Sequence, residues 1–123
     1  MVRIKSGEEK KMGKLEEIYD IISKYFTKDR LSRGLGQWST VLQFQLDAEK
    51  TFYVIVNQGN FEVQQGIYPN PKTVVSGDIS ALKELLNGMV DVTHFIANGK
   101  LRLIRGDYFD LLNLSRAAYI VKR

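Results

Sequence analysis

The first regular pattern along the chain has the spacing of an α-helix. Apolar side chains recur every three or four positions between residues 15 and 26, and charged residues lie between them. This spacing predicts an amphipathic helix with one face turned toward a core. Glycines within residues 33–36 predict the end of the helix, because glycine adopts the left-handed conformation that closes many helices. Residues 1–14 form a charged N-terminal lead-in, in which residues 6–9 fit a capping box.

After residue 40 the hydrophobic period changes to two, which is typical of β-strands with one buried face. Alternating segments at residues 41–47, 51–57 and 61–67 predict three strands, and residues 72–76 predict a short fourth strand. Polar turn residues separate these segments, so we expect an antiparallel meander with one face exposed to water. The positions expected to face the core in the first two strands are Leu42, Phe44, Leu46, Phe52, Val54 and Val56.

Helical spacing returns after Asp78, which is a suitable N-cap, and residues 87–88 predict the end of this helix. Residues 89–98 have no regular period. Residues 99–106 then predict a fifth strand bracketed by glycines, and Asp107 is placed to cap a final helix. The order of elements is therefore αββββαβα, which predicts an α+β fold.

Composition bounds the class of protein. The 123 residues suffice for one domain, which we place at residues 15–123. Cysteine is absent, which excludes disulfides, thiolate catalysis and cysteine-ligated metal sites. No apolar run is longer than that of residues 52–56, which is far shorter than a membrane-spanning helix requires. The N-terminus has no apolar stretch of the kind found in signal peptides, so we expect a cytoplasmic protein.

Residues able to carry out catalysis are scarce. His94 is the single histidine, and the sequence has no Gly-x-Ser-x-Gly motif that would present a nucleophilic serine to it. Glycine-rich phosphate-binding motifs are absent, and no pair of carboxylates stands out among the fourteen acidic residues. We predict no catalytic residue, no cofactor and no metal site, and a structural or surface role for His94.

The formal net charge is +4, with positive ends and a negative middle. Basic residues near the C-terminus either keep the surface soluble or contact the phosphates of nucleic acids or lipid headgroups. They are not interleaved with aromatic residues of the kind that stack on bases, so we expect no specific nucleic-acid partner. These basic residues are Lys100, Arg102, Arg105, Arg116, Lys122 and Arg123.

Apolar residues are abundant downstream of Asp78, where two predicted helices flank one strand. They either close a core or line a cavity, and periodicity does not distinguish these alternatives. The residues are Leu82, Leu85, Leu86, Met89, Phe95, Ile96, Leu101, Leu103, Phe109, Leu111, Leu112 and Leu114.

This part of the chain also resembles a known family. Residues 78–88, Phe95, the Gly-Lys-Leu run within residues 99–103, and the Gly-Asp pair at residues 106–107 resemble the C-terminal signature of sterol carrier protein type 2-like domains. The turn into the third strand is similar to that of the family through Gln58, Gly59, Val63 and Gly66.

The resemblance covers residues 15–120 and departs from the family pattern in two places. The family usually has fewer residues between the Gly-Lys-Leu run and the next Gly-Asp pair, so Ile104 or Arg105 is an apparent insertion. An extra residue in a strand predicts a β-bulge, which would re-aim neighbouring side chains. The tryptophan common in the family's second strand is replaced by Phe52 or Tyr53.

The resemblance implies a mixed, mostly antiparallel five-stranded sheet covered by helices, with an apolar tunnel between sheet and helices. It also implies a ligand, because members bind sterols, fatty acids, acyl-coenzyme A or other lipids. We expect Leu85 and Met89, four residues apart, to share the inward face of the second helix. The segments that match the family's tunnel walls give the expected lining residues Leu85, Met89, Phe95, Leu101, Leu103, Leu111 and Leu112.

Three hypotheses on function follow. The first is a non-catalytic lipid-binding or lipid-transfer domain that holds a sterol, fatty acid, acyl-coenzyme A or similar ligand in an internal tunnel. The alternative is a structural or interaction module that uses the fold without lipid, and the third is a weak nucleic-acid binder. We expect a monomer or homodimer whose partners are a lipid or acyl ligand and, transiently, a membrane.

Overall fold

A computed structural model describes residues 13–46 and 50–122. The capping box predicted at residues 6–9 lies outside the described residues, as do residues 47–49 of the turn predicted at residues 47–50. In chain order the elements are α1 (Lys14–Tyr25), α2 (Lys28–Leu35), β1 (Thr40–Leu46), β2 (Lys50–Asn57), β3 (Asn60–Gln65), β4 (Thr73–Gly77), α3 (Ile79–Leu86), α4 (Val92–Ala97), β5 (Leu101–Arg105) and α5 (Tyr108–Ile120).

The first predicted helix is two helices. The chain leaves the helical conformation at Phe26, and Thr27 then caps α2 by accepting a hydrogen bond from the backbone N–H of Arg30 at 3.4 Å. Phe26 is fully buried, and its carbonyl accepts a hydrogen bond from the N–H of Phe61 in β3. The apolar spacing continues across this break, which is why the pattern alone predicted one helix.

The sheet is mixed, with strand order β3-β2-β1-β4-β5. Strand β4 runs parallel to β1, so the prediction of a simple antiparallel meander was wrong for this strand. The buried side chain of Gln43 explains the crossover. Its Nε2 donates to the carbonyl of Gly66 at 3.0 Å, and its Oε1 accepts from the N–H of Tyr68 at 2.8 Å. The chain after β3 is thereby held across the face of the sheet instead of turning back beside β3.

The predicted helix caps are confirmed. The side chain of Asp78 accepts a hydrogen bond from Ser80 N–H at 3.0 Å, and that of Asp107 accepts one from Phe109 N–H at 2.9 Å. Helix α4 lies in the stretch that showed no regular period. Six residues are too few to establish helical spacing, although Asp91 caps this helix as well.

The expected bulge is present in β5. Val75 is opposite Leu103 and Val74 is opposite Arg105, so Ile104 is the extra residue. The helices pack on the face of the sheet that carries the predicted core positions, and all six of these positions are buried. The rings of Phe44 and Phe52 stack there with centroids 4.9 Å apart.

Candidate functional site

An apolar groove lies between α5 and residues 88–91, the connection from α3 to α4. Its volume is about 570 Å³, within the range of small-molecule sites, and it is open to solvent along one side. Val90 contributes to one wall, and Leu112 and Ile120 contribute to the other. The site therefore offers an apolar surface to a ligand.

The groove exists because α3 ends abruptly beside α5. Asn87 follows the last turn of α3, and Gly88 then adopts a φ of +74°, which favours glycine. A Cβ at Gly88 would lie 2.9 Å from the carbonyl oxygen of Ala118. Glycine thus allows the connection to approach the backbone of α5 closely.

Two polar side chains of the groove, Ser115 and Asp91, are hydrogen-bonded to each other. The hydroxyl of Ser115 donates to Oδ1 of Asp91 at 3.0 Å and accepts from the N–H of Val92 at 3.1 Å. These bonds fasten the start of α4 to α5. A ligand would therefore find its free surface on the apolar side chains and not on this pair.

A buried carboxylate fixes the position of α5 on the sheet. Asp110 is 3% exposed and accepts hydrogen bonds from Trp38 Nε1 at 3.1 Å, Thr40 Oγ1 at 2.8 Å and Thr73 Oγ1 at 2.6 Å. Its donors come from β1, β4 and the segment before β1. The network is fully hydrogen-bonded and internal, so we assign it to positioning the groove wall.

A cationic rim flanks the groove. Arg116 lines it and is exposed, and within residues 13–46 and 50–122 it forms no ion pair with a carboxylate. Lys122 places its Nζ 5.9 Å from the ring centroid of Tyr119, another lining residue. The site thus combines apolar walls with positive charge at its opening.

The structure separates the expected lining residues into three groups. Leu85, Phe95, Leu101 and Leu111 are buried in the hydrophobic core, whereas Leu103 and Leu112 are half-buried against it. Leu112 lines the groove. Met89 is 71% exposed, so its predicted place on the inward face of the helix was wrong. Helix α3 ends at Leu86, and helical spacing therefore does not extend to Met89.

Several groove residues were not predicted as lining residues. Val90 lies in a connection without a pattern, and Ser115 and Arg116 are polar residues on a predicted helix. A signal was available in α5, which carries apolar residues on both its inward and outward sides. A helix with apolar residues on all sides needs a second buried surface or a ligand.

In the part of the chain described, the titratable side chains form no metal site. His94 is exposed on α4, and no group of His, Asp and Glu residues here is arranged to hold a metal ion. Burial is the main cause that raises the pKa of Tyr19; the Gln65 side chain opposes the rise and the Glu16 carboxylate adds to it.

Among the described helices, none has the length and apolar character needed to cross a membrane.

Solved structures with the same fold include a ubiquinone synthesis protein, a palmitated protein and part of an alkylsulfatase. The ubiquinone synthesis protein UbiJ-SCP2 is 19% identical, with a TM-score of 0.67 over 86% of this chain and 93% of that one. The palmitated SCP2L2 protein of Aedes aegypti is 18% identical, with a TM-score of 0.58 over 81% and 93%. The sec-alkylsulfatase Pisa1 of a Pseudomonas species is 14% identical, with a TM-score of 0.68 over 86% of this chain but 16% of the enzyme.

Comparison of the sequence with family models identifies the family of this chain, although comparison with individual proteins does not. No curated protein is significantly similar to this chain in sequence. The family model of the SCP-2 sterol transfer family, however, matches residues 22–118, which include every element of the sheet and most of α5. The chain belongs to the SCP-2 sterol transfer family.

Proposed function

We propose that this protein is a lipid-binding or lipid-transfer domain that takes the apolar tail of a sterol, fatty acid, acyl-coenzyme A or similar ligand. The observation that carries the proposal is the apolar groove of about 570 Å³ beside α5, in a chain of the SCP-2 sterol transfer family. A protein of similar fold from Aedes aegypti is palmitated in its solved structure, which supports an acyl chain as one ligand.

The energetics favour recognition of the tail over recognition of a headgroup. Burying a sixteen-carbon chain contributes about 12 kcal/mol gross, at ~0.8 kcal/mol per methylene. Loss of translational and rotational freedom offsets about 4–15 kcal/mol of this gain. A neutral hydrogen bond to a headgroup adds about 0.5–1.5 kcal/mol net. Such a site discriminates modestly among lipids with tails of similar length.

We assign the expected lining residues two roles in this proposal. Leu112 contacts the tail directly, because it already lies in the groove wall. Leu85, Phe95, Leu101, Leu103 and Leu111 would contact a tail that inserts more deeply, which requires α5 to move outward from the core. Met89 would contact the ligand from the exposed end of the connection.

Native mass spectrometry of the freshly purified protein, followed by organic extraction, tests the proposal directly. We expect a species with the mass of the chain plus one lipid, and a fatty acid, sterol or other lipid in the extract. A bare chain that also fails to bind added palmitate, cholesterol and palmitoyl-coenzyme A would contradict the proposal. That result would favour the alternative of an interaction module without lipid.

A further inference from the structure

Helix α5 exposes large apolar side chains on its outward face. Phe109 is 68% exposed and Tyr119 is 71% exposed, and Leu112 lies half-buried between them. At 3.6 residues per turn these three residues lie on the same side of the helix, and Phe109 and Tyr119 are about 15 Å apart along its axis. Exposed apolar surface of this extent usually marks a site of interaction.

Positive charge accompanies this outward face. Arg116 lies between Leu112 and Tyr119 on the same side, and Lys122 follows at the end of the helix. The acidic residue of α5, Asp110, is buried on the opposite side. The outward face of α5 therefore presents apolar and cationic groups without a carboxylate of its own.

These charges favour a lipid surface over a second copy of the chain. A two-fold contact places the same helix face of both subunits together, and α5 offers no exposed carboxylate to the Arg116 of the other subunit, while Asp91 beside the groove already accepts a hydrogen bond from Ser115. Burying an unpaired cation is costly. The anionic headgroups of a bilayer supply the missing negative charge, and the acyl region accepts Phe109 and Leu112.

We propose that the outward face of α5 docks on bilayers that contain anionic lipids. The inference rests on the proposed function, because Leu112, Arg116 and Tyr119 also line the groove. A docked domain would have the opening of the groove against the bilayer. A lipid tail could then pass between membrane and protein with little exposure to water.

Vesicle flotation tests the proposal with the full chain. We expect binding to mixed phosphatidylcholine–phosphatidylglycerol vesicles and much weaker binding to phosphatidylcholine alone. Phe109→Asp should abolish this binding, and Phe109→Ser should reduce it. Arg116→Gln should weaken it about fivefold, the loss expected for one cation near an anionic surface. The matched control is Ile67→Asp, since Ile67 is 72% exposed but lies outside α5, and it should bind like wild type.

Other results would overturn the docking proposal. One such result is that the wild-type protein does not bind the anionic vesicles. Another is that the Phe109 and Ile67 variants lose vesicle binding to the same extent. A dimer in solution that Phe109→Ser dissociates would assign the face to a second copy instead. Palmitate binding in the absence of vesicles distinguishes the docking proposal from the proposed function. Phe109 does not line the groove, so Phe109→Ser should still bind palmitate. Failure of wild type to bind palmitate, with vesicle binding intact, would count against the proposed function alone.

Discussion

Gly106 and Gly66 have almost the same φ angle in very different surroundings. Their φ angles are +109° and +105°, which disfavour any other residue. A Cβ at Gly106 would lie 2.5 Å from both the carbonyl oxygen of Lys72 and Oγ1 of Thr73, whereas a Cβ at Gly66 would have no atom within 4 Å. The close approach at Gly106 brings the start of α5 against β4.

Alanine substitutions at these two glycines distinguish the cost of steric crowding from the cost of backbone strain. We expect Gly106→Ala to lower the free energy of unfolding by about 1–3 kcal/mol more than Gly66→Ala does, because the added methyl overpacks the contact with Thr73. Urea unfolding of both variants measures the difference. Equal losses would mean that the contact between β4 and the start of α5 tolerates the methyl group.

A second prediction at the residue scale concerns Asp110. In Asp110→Asn the amide NH₂ either faces the N–H of Trp38, which loses that hydrogen bond, or forces the hydroxyls of Thr40 and Thr73 to accept where they now donate. We expect the free energy of unfolding to fall by about 1–3 kcal/mol. The fluorescence of Trp38, the single tryptophan of the chain, reports the transition.

The control for this variant is Asp20→Asn. Asp20 is exposed and forms an ion pair with Lys24 on the same helix at 3.7 Å, so its loss should cost less than about 0.5 kcal/mol. If Asp110→Asn and Asp20→Asn lower the free energy of unfolding by similar amounts, the buried network does not fix the position of α5.

The residue scale also shows what local sequence determines. The caps at Asp78 and Asp107 were predictable because their hydrogen bonds reach two residues along the chain. The network of Asp110 was not, since its partners Trp38 and Thr40 lie 70 or more residues away. A hydrogen bond between distant segments leaves no spacing in the sequence.

At the scale of elements, Tyr19 links α1 to the sheet. Its ring contacts Phe52 edge-on with centroids 5.5 Å apart, and burial is the main reason that its pKa lies above the ordinary value of 10.0. The unfolded chain therefore loses this proton at a lower pH than the folded chain does. The stabilising contribution is present below pH 10.0 and is lost as the pH rises through the folded-state pKa.

Tyr19→Phe should remove this pH dependence while keeping the ring contact. We expect the two proteins to have similar free energies of unfolding at neutral pH, and wild type to lose stability more steeply than the variant above about pH 10. Urea unfolding across this range checks the prediction. Parallel curves for the two proteins would show that ionisation of Tyr19 does not contribute.

Periodicity predicted the types of elements better than their connections. The five strands and the last two long helices were predicted, but the break at Phe26 and the parallel placement of β4 were not. The break depends on a hydrogen bond to β3, and the crossover depends on Gln43 holding the chain at Gly66 and Tyr68. The bulge at Ile104 was predictable because the resemblance to a family exposed an extra residue.

At the scale of the molecule, the residues expected to line a site and the residues that line the groove overlap only at Leu112. Met89 lies in the connection after α3, whereas the other expected lining residues lie in α3, α4, β5 and α5 and belong to the core or pack against it. Which of them contact free space depends on packing between helices, and a hydrophobic pattern is the same for a filled and a lined interior. Leu112 was expected to line the site and does line the groove, whereas Val90 was not expected.

Packing predicts different outcomes for two leucines of the expected lining. Leu85 is almost fully buried, so Leu85→Trp should overpack the core and lower the free energy of unfolding by about 1–3 kcal/mol. Leu112→Trp should change it by less than about 0.5 kcal/mol, because the groove has room for the larger ring. Urea unfolding compares the two variants. If Leu112→Trp lowers the free energy of unfolding as much as Leu85→Trp does, the groove beside Leu112 is not open.

The most direct test of the central claim is a fluorescent fatty-acid titration of Leu112→Trp. The indole should occupy the groove and weaken binding at least about tenfold, the loss expected when roughly two methylenes of the tail are no longer buried. Ile67→Trp, which adds the same ring at an exposed position outside α5, should bind like wild type. If Leu112→Trp remains folded and binds the fatty acid as tightly as wild type, the tail does not lie in the groove beside α5.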